Sequence, residues 1–91
     1  LSELNIKNTI SITPNPSNGI FEVSYGLSQK SKVELEIIDA SGKRIYKRKF
    51  QDAAGITEHE ISLKNISEGM YTLQIETDTE IHTERLIFKN D

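Results

Sequence analysis

Phe21, Val23 and Tyr25 alternate with Glu22 and Ser24, and Val33, Leu35 and Ile37 alternate with Glu34 and Glu36. A period of two places each apolar set on one face of an extended chain and the polar set on the other, the pattern of a half-buried strand. The pattern recurs at Ile10 and Ile12, at Ile61 and Leu63, and at Tyr71, Leu73 and Ile75, which oppose Met70, Thr72, Gln74 and Glu76. Ile45, Tyr46 and Phe50 lie in a basic run, and a last run ends in Leu86, Ile87 and Phe88. No segment carries a convincing helical period.

Turn formers separate the runs: Pro14-Asn15-Pro16-Ser17-Asn18-Gly19, Asp39-Ala40-Ser41-Gly42-Lys43, Asp52 to Gly55, Ser67-Glu68-Gly69 and Thr77-Asp78-Thr79. Proline cannot serve a strand interior, and Gly42 is free to take a positive φ in a tight hairpin. About seven short strands with a break every ten residues or so predict an all-β, immunoglobulin-like Greek-key sandwich of antiparallel strands. The Gly42 hairpin suggests Ile37 opposite Ile45, which sets Glu34 opposite Arg48 and Glu36 beside further cations. Tyr71, early in the sixth strand, is expected to hydrogen-bond back to the backbone a few residues upstream, with Leu63 and Ile66 beneath it.

Ninety-one residues make one domain. With no cysteine, there is no disulfide framework and no thiolate nucleophile or metal ligand. A net charge of −3 is the wrong sign for a nucleic-acid binder, which must displace phosphate counterions. No apolar run is long enough to cross a bilayer as a helix. Leu1 is not an initiator methionine, so the chain reads as a fragment. Residues 1–9 mix Asn, Ser and charges with isolated aliphatics and read as a linker from an upstream domain, leaving residues 10–91 as the folded unit.

Catalysis needs converging acids, bases or nucleophiles. Histidines are few (His59 and His82), no serine sits in a nucleophile elbow, and no Gly-rich phosphate loop is present. The expectation is therefore a non-enzyme with no cofactor. The weak metal candidate is Glu80, His82 and Glu84, which share one face of an extended strand. Glu58 and Glu60 share a face of the fifth strand, with His59 opposite. All of these also fit a solvated sheet face, which is the preferred reading. The basic cluster Lys43, Arg44, Lys47, Arg48 and Lys49 fits neutralisation by Glu34 and Glu36 and protection of a sheet edge better than a docking patch.

Taken together, these pieces resemble a known family. Pro14-Asn15-Pro16-Ser17-Asn18-Gly19 precedes a strand from Ile20, and Ile37-Ile38-Asp39-Ala40-Ser41-Gly42-Lys43 follows. Then come Leu63-Lys64-Asn65-Ile66-Ser67-Glu68-Gly69-Met70-Tyr71 and, at the end, Arg85-Leu86-Ile87-Phe88-Lys89. In this order, from Ile10 to Lys89, they are similar to the type A C-terminal sorting domain of type IX (Por) secretion substrates of Bacteroidetes-type bacteria. Pro14, Asn15, Pro16, Gly19, Asp39, Gly42, Leu63, Gly69, Tyr71 and Lys89 match the family pattern. Asn90 and Asp91 depart from it, since the family often stops at or near the basic residue.

The resemblance implies a parent protein that passes through the periplasm and ends outside the cell or on the outer-membrane surface. Its partners would be the outer-membrane translocon and a sortase-like peptidase. The peptidase would cut within or just before residues 1–9, releasing the cargo or attaching it to the surface. Arg85, Leu86, Ile87, Phe88 and Lys89 are the expected translocon-recognition residues, read by strand addition along an open C-terminal edge. The same open edge would allow edge-paired or swapped dimers in isolation. The competing reading is an accessory module of a secreted enzyme that binds carbohydrate or a protein ligand. With no tryptophan, and only Tyr46, Phe50 and Phe88 expected at the surface, a sugar platform is poorly supplied. A third reading is a structural spacer or adhesion domain.

Overall fold

The structure, a computed structural model, describes residues 10–89. Seven strands form: β1 (Ser11–Thr13), β2 (Ile20–Leu27), β3 (Ser31–Ile38), β4 (Arg44–Asp52), β5 (Gly55–Ser62), β6 (Gly69–Glu76) and β7 (Ile81–Phe88). They make two antiparallel sheets, ordered β1-β2-β5 and β4-β3-β6-β7. The chain changes sheet between β2 and β3, between β4 and β5, and between β5 and β6, as an immunoglobulin-like sandwich requires. The expected linker, residues 1–9, lies outside the described residues, as do Asn90 and Asp91.

The core is the set the alternation selects. Phe21, Val23 and Tyr25 of β2 and Ile61 of β5 face Val33, Leu35, Ile37, Leu73, Ile75, Leu86 and Phe88 of the other sheet. At about 25 cal/mol per Å² of apolar surface removed from water, this inner layer is the main stabilising contribution. Ile12, Tyr46, Phe50, Leu63, Ile66 and Tyr71 pack around it, half-buried.

The expected tyrosine corner is present: Tyr71 Oη donates to Ser67 O at 2.7 Å. The Tyr71 ring meets Phe88 edge-on, with centroids 4.8 Å apart at 64°. The hydroxyl thereby anchors the approach to β6 while the ring covers the end of β7. Tyr71→Phe keeps the ring and loses the bond, so a loss of about 1 kcal/mol in urea denaturation is expected; an unchanged midpoint would mean the corner holds nothing.

The β3–β4 register differs from the expectation. Ile37 pairs with Tyr46, not Ile45, and Glu34 pairs with Lys49, not Arg48. Asp39 N–H donates to Lys43 O at 2.8 Å, and Gly42 N–H to Asp39 O at 3.0 Å, closing the loop. Beyond it the ladder shifts between Ile37 and Ile38, so Ile45 is the extra residue of a bulge. Turn residues reveal that a loop exists, but an inserted residue only shifts the phase of a period-two pattern, and in this basic run the adjacent apolar pair Ile45-Tyr46 is its one trace. The charge complementarity survives diagonally: Arg44 lies 2.9 Å from Glu36, and Lys47 3.4 Å from Glu34.

Candidate functional site

β7 forms one edge of the four-stranded sheet. Leu86 and Phe88 point inward and are buried, Phe88 to 3% exposure. This corrects the expectation that Phe88 is a surface aromatic: it closes the core against Phe21 (centroids 5.9 Å) and Tyr71. Arg85 and Ile87 alternate with them on the outward face, where they pair across β6 with Thr72 and Met70. Lys89 follows, exposed.

Along Arg85 to Lys89 the outer edge of β7 is not open. Ile87 N–H donates to Asn15 Oδ1 (3.0 Å), and Asn15 Nδ2 donates to Arg85 O (3.1 Å). Ser17 N–H donates to Ile87 O and Lys89 N–H to Ser17 O, both at 2.8 Å. Ser17 thus forms a one-residue parallel bridge to Phe88, and the Asn15 amide takes the place of a further peptide group. Pro14 and Pro16, which offer no N–H, flank Asn15 where none is needed. The motif expected to be a turn is therefore a strap that leaves β1 in one sheet, seals the edge of the other, and returns to β2. Strand addition at Arg85 to Lys89, as expected from the sequence, would have to displace this strap, because Arg85 O, Ile87 N–H, Ile87 O and Lys89 N–H already have partners.

Gly19 makes the strap's return. Its φ is +118°, and a Cβ placed there would lie 2.8 Å from the backbone oxygen of Leu63. Gly19 O in turn accepts from Leu63 N–H at 2.8 Å, and Ser17 Oγ, deep inside the turn, accepts from Gly19 N–H at 3.1 Å. Of the family-pattern residues, Asp39 organises the hairpin loop: its carboxylate accepts from Ser41 Oγ (2.6 Å) and from the Ser41 and Lys43 amides (2.9 Å each). The Ser41 hydroxyl, followed by the Lys43 amide, lowers the Asp39 pKa. Gly42 and Gly69 both hold positive φ.

Glu80, His82 and Glu84 are not brought together. Glu80 precedes β7 in a turn closed by Thr77 N–H to Glu80 O, 2.8 Å. His82 and Glu84 lie on the inward side of β7, in line with Leu86 and Phe88, and meet each other at 2.8 Å. Among the described residues, no three carboxylates, histidines or cysteines converge on a point that could hold a metal ion. Both side chains are only partly covered, His82 at 22% and Glu84 at 40% exposure, as a wet sheet margin allows.

His59 is also structural in its contacts. Its ring stacks on Phe50 with centroids 3.7 Å apart, and its Nε2 lies 3.1 Å from Asp52 Oδ2. The same oxygen accepts from Tyr25 Oη at 2.7 Å. Burial, and then Asp52, raise the Tyr25 pKa, so the phenol stays a hydroxyl donor. This knot joins β2, β4 and β5 at the side of the sandwich opposite β7. The residue pattern alone did not show it, though a core tyrosine always needs a partner for its hydroxyl. Arg48 covers the Phe50 ring at 5.3 Å.

The outward face of β2 and β5 is acidic, with Glu22 paired directly to Glu60 and Ser24 to Glu58. The Glu22 pKa is raised, chiefly by a shared hydrogen bond with Glu58 and then by repulsion from its charge. A carboxyl raised on folding contributes stability at low pH that is lost as pH rises through its folded pKa. Asp39 has the opposite sign: its contribution is present above the ordinary aspartate pKa and lost as pH falls through the lowered one. Glu58→Gln is therefore expected to raise the melting temperature at pH 7, and the gain should vanish below the carboxylate range and shrink in high salt. A gain of equal size at pH 3 would exclude repulsion as its cause.

Against known proteins, the model of the secretion system C-terminal sorting domain matches residues 11–89. The chain belongs to this family. The sorting domain finds no match among curated proteins. Among solved structures it is similar to part of the crystal structure of the Parabacteroides merdae β-glucuronidase, with a TM-score of 0.67 at 16% identity, over 97% of this chain. The chain spans 14% of that enzyme's length, and the likeness concerns the sandwich fold alone. A domain of this family is a type IX secretion sorting signal. The strap and β7, Pro14 to Gly19 and Arg85 to Lys89, both fall within the matched region.

Proposed function

We propose that this sorting domain is a folded export address that performs no chemistry of its own. Its parent reaches the periplasm, where the sandwich folds and the outer-membrane translocon reads its terminal strand. A sortase-like peptidase then cuts within or just before residues 1–9, releasing the cargo or attaching it to the surface. The observation that carries this reading is the family match across the whole sandwich, from β1 to the end of β7. The side chains support it: His59, Asp52 and Tyr25 are engaged with one another in holding strands together.

The test fuses residues 1–91 to the C-terminus of a periplasmic reporter in a host with a type IX system and in the same host lacking it. The reporter is expected outside the first host and in the periplasm of the second. Periplasmic retention in both would refute the reading.

A further inference from the structure

A partner that reads β7 at Arg85 to Lys89 has three routes, and two are closed. The backbone edge is taken by Asn15 and Ser17 through four hydrogen bonds. The inward side chains, Leu86 and Phe88, are in the core. What remains is the outward face: Arg85 and Ile87 on β7, with Met70 and Thr72 beside them on β6.

This face has the composition of a contact surface. Met70 is 53% exposed and lies directly across from half-buried Ile87. A shallow hollow of about 410 Å³ adjoins them, bounded by Asp39 and Ala40 of the β3–β4 loop, by Met70 and Thr72 of β6, and by Arg85 and Glu84 of β7, the Glu84 carboxylate being engaged with His82 at 2.8 Å. Among the described residues, the Arg85 guanidinium has no carboxylate within 4.0 Å. Asp39 shares the hollow, but its carboxylate is turned to Ser41 and Lys43. An arginine offers a planar fork suited to a carboxylate. Methionine adapts its shape to apolar neighbours, and both residue types are enriched at protein interfaces.

We propose that the outward face formed by Met70, Arg85 and Ile87 is where the translocon docks, through a protein surface that presents a carboxylate beside apolar side chains. The proposal rests on the export reading above and adds which face is read and by what chemistry. Charge separates this face from the other sheet's outer face. There Glu22, Glu58 and Glu60 crowd together, and the same acidic partner would be repelled.

The reporter fusion in the type IX host tests this. Arg85→Glu and Met70→Glu are each expected to lower the exported fraction about tenfold or more, the scale of losing one interface anchor. Arg85→Lys should retain part of the export, and Glu60→Lys, on the opposite face, should export as wild type. Both changed side chains are exposed, so purified domains should melt within about 2 °C of wild type. Normal export of Arg85→Glu and Met70→Glu, or an equal loss in Glu60→Lys, would overturn the proposal. If the wild-type fusion itself is not exported, it is the underlying reading that fails.

Discussion

Phe88→Ala is expected to destabilise the domain by about 3–5 kcal/mol. The ring is 3% exposed and bridges the sheets, tilted on Phe21 at 5.9 Å and met edge-on by Tyr71 at 4.8 Å. Removing it leaves a cavity at the end of β7, where Gly69 is the residue paired opposite and supplies no side chain to collapse inward. Domains of this size are stable by roughly 5–10 kcal/mol, so the variant should sit near its unfolding threshold at 37 °C. Urea denaturation should show a large drop in midpoint with little change in slope. A loss below 1 kcal/mol would mean that the end of β7 is not integral to the core. The same burial bears on truncation: removing residues 85–91 deletes Leu86 and Phe88 together, so lost export in such a truncation reports unfolding as readily as lost recognition. Single substitutions on the outward face avoid this.

Gly19→Ala is expected to cost about 2–3 kcal/mol, from a backbone conformation that alanine rarely adopts. The added Cβ would also meet the Leu63 carbonyl oxygen at 2.8 Å, an atom that no rotamer change can move aside. Relief requires the strap to shift, and the strap holds two outward amides at the end of the terminal strand, Ile87 and Lys89. Hydrogen exchange should therefore report the damage locally, with those two amides exchanging faster while the Leu35 and Leu73 amides change only as far as global stability falls. Wild-type exchange at Ile87 and Lys89 would show that Gly19 does not set the strap.

The strap also changes what an exposed terminal strand means in this domain. An open edge invites pairing with any extended chain. Here Asn15 and Ser17 occupy the stretch from Arg85 to Lys89, so that part of the address stays closed to unrelated strands while its outward side chains remain legible. The strap after β1 and the end of β7 are thereby held against each other.

The strands and their inward faces were legible because alternation is a local property. Phe21, Val23 and Tyr25, or Val33, Leu35 and Ile37, declare their side of a sheet with no knowledge of the partner strand, and Tyr71 declares a corner by its place after Gly69. The family pattern was legible for the same reason, as short pieces in a fixed order. Three things needed the assembled molecule. The bulge at Ile45 depends on how the Asp39–Lys43 loop closes. The burial of Phe88 depends on which sheet lies across from β7. The closing of the β7 edge depends on Asn15 and Ser17 meeting residues about 70 positions away in the chain. Sequence periodicity reports which way a side chain points, whereas the partner of a backbone N–H is chosen by packing between distant segments. The residues thus determined the sandwich and its core, and only the tertiary structure decided which face of the last strand is left exposed.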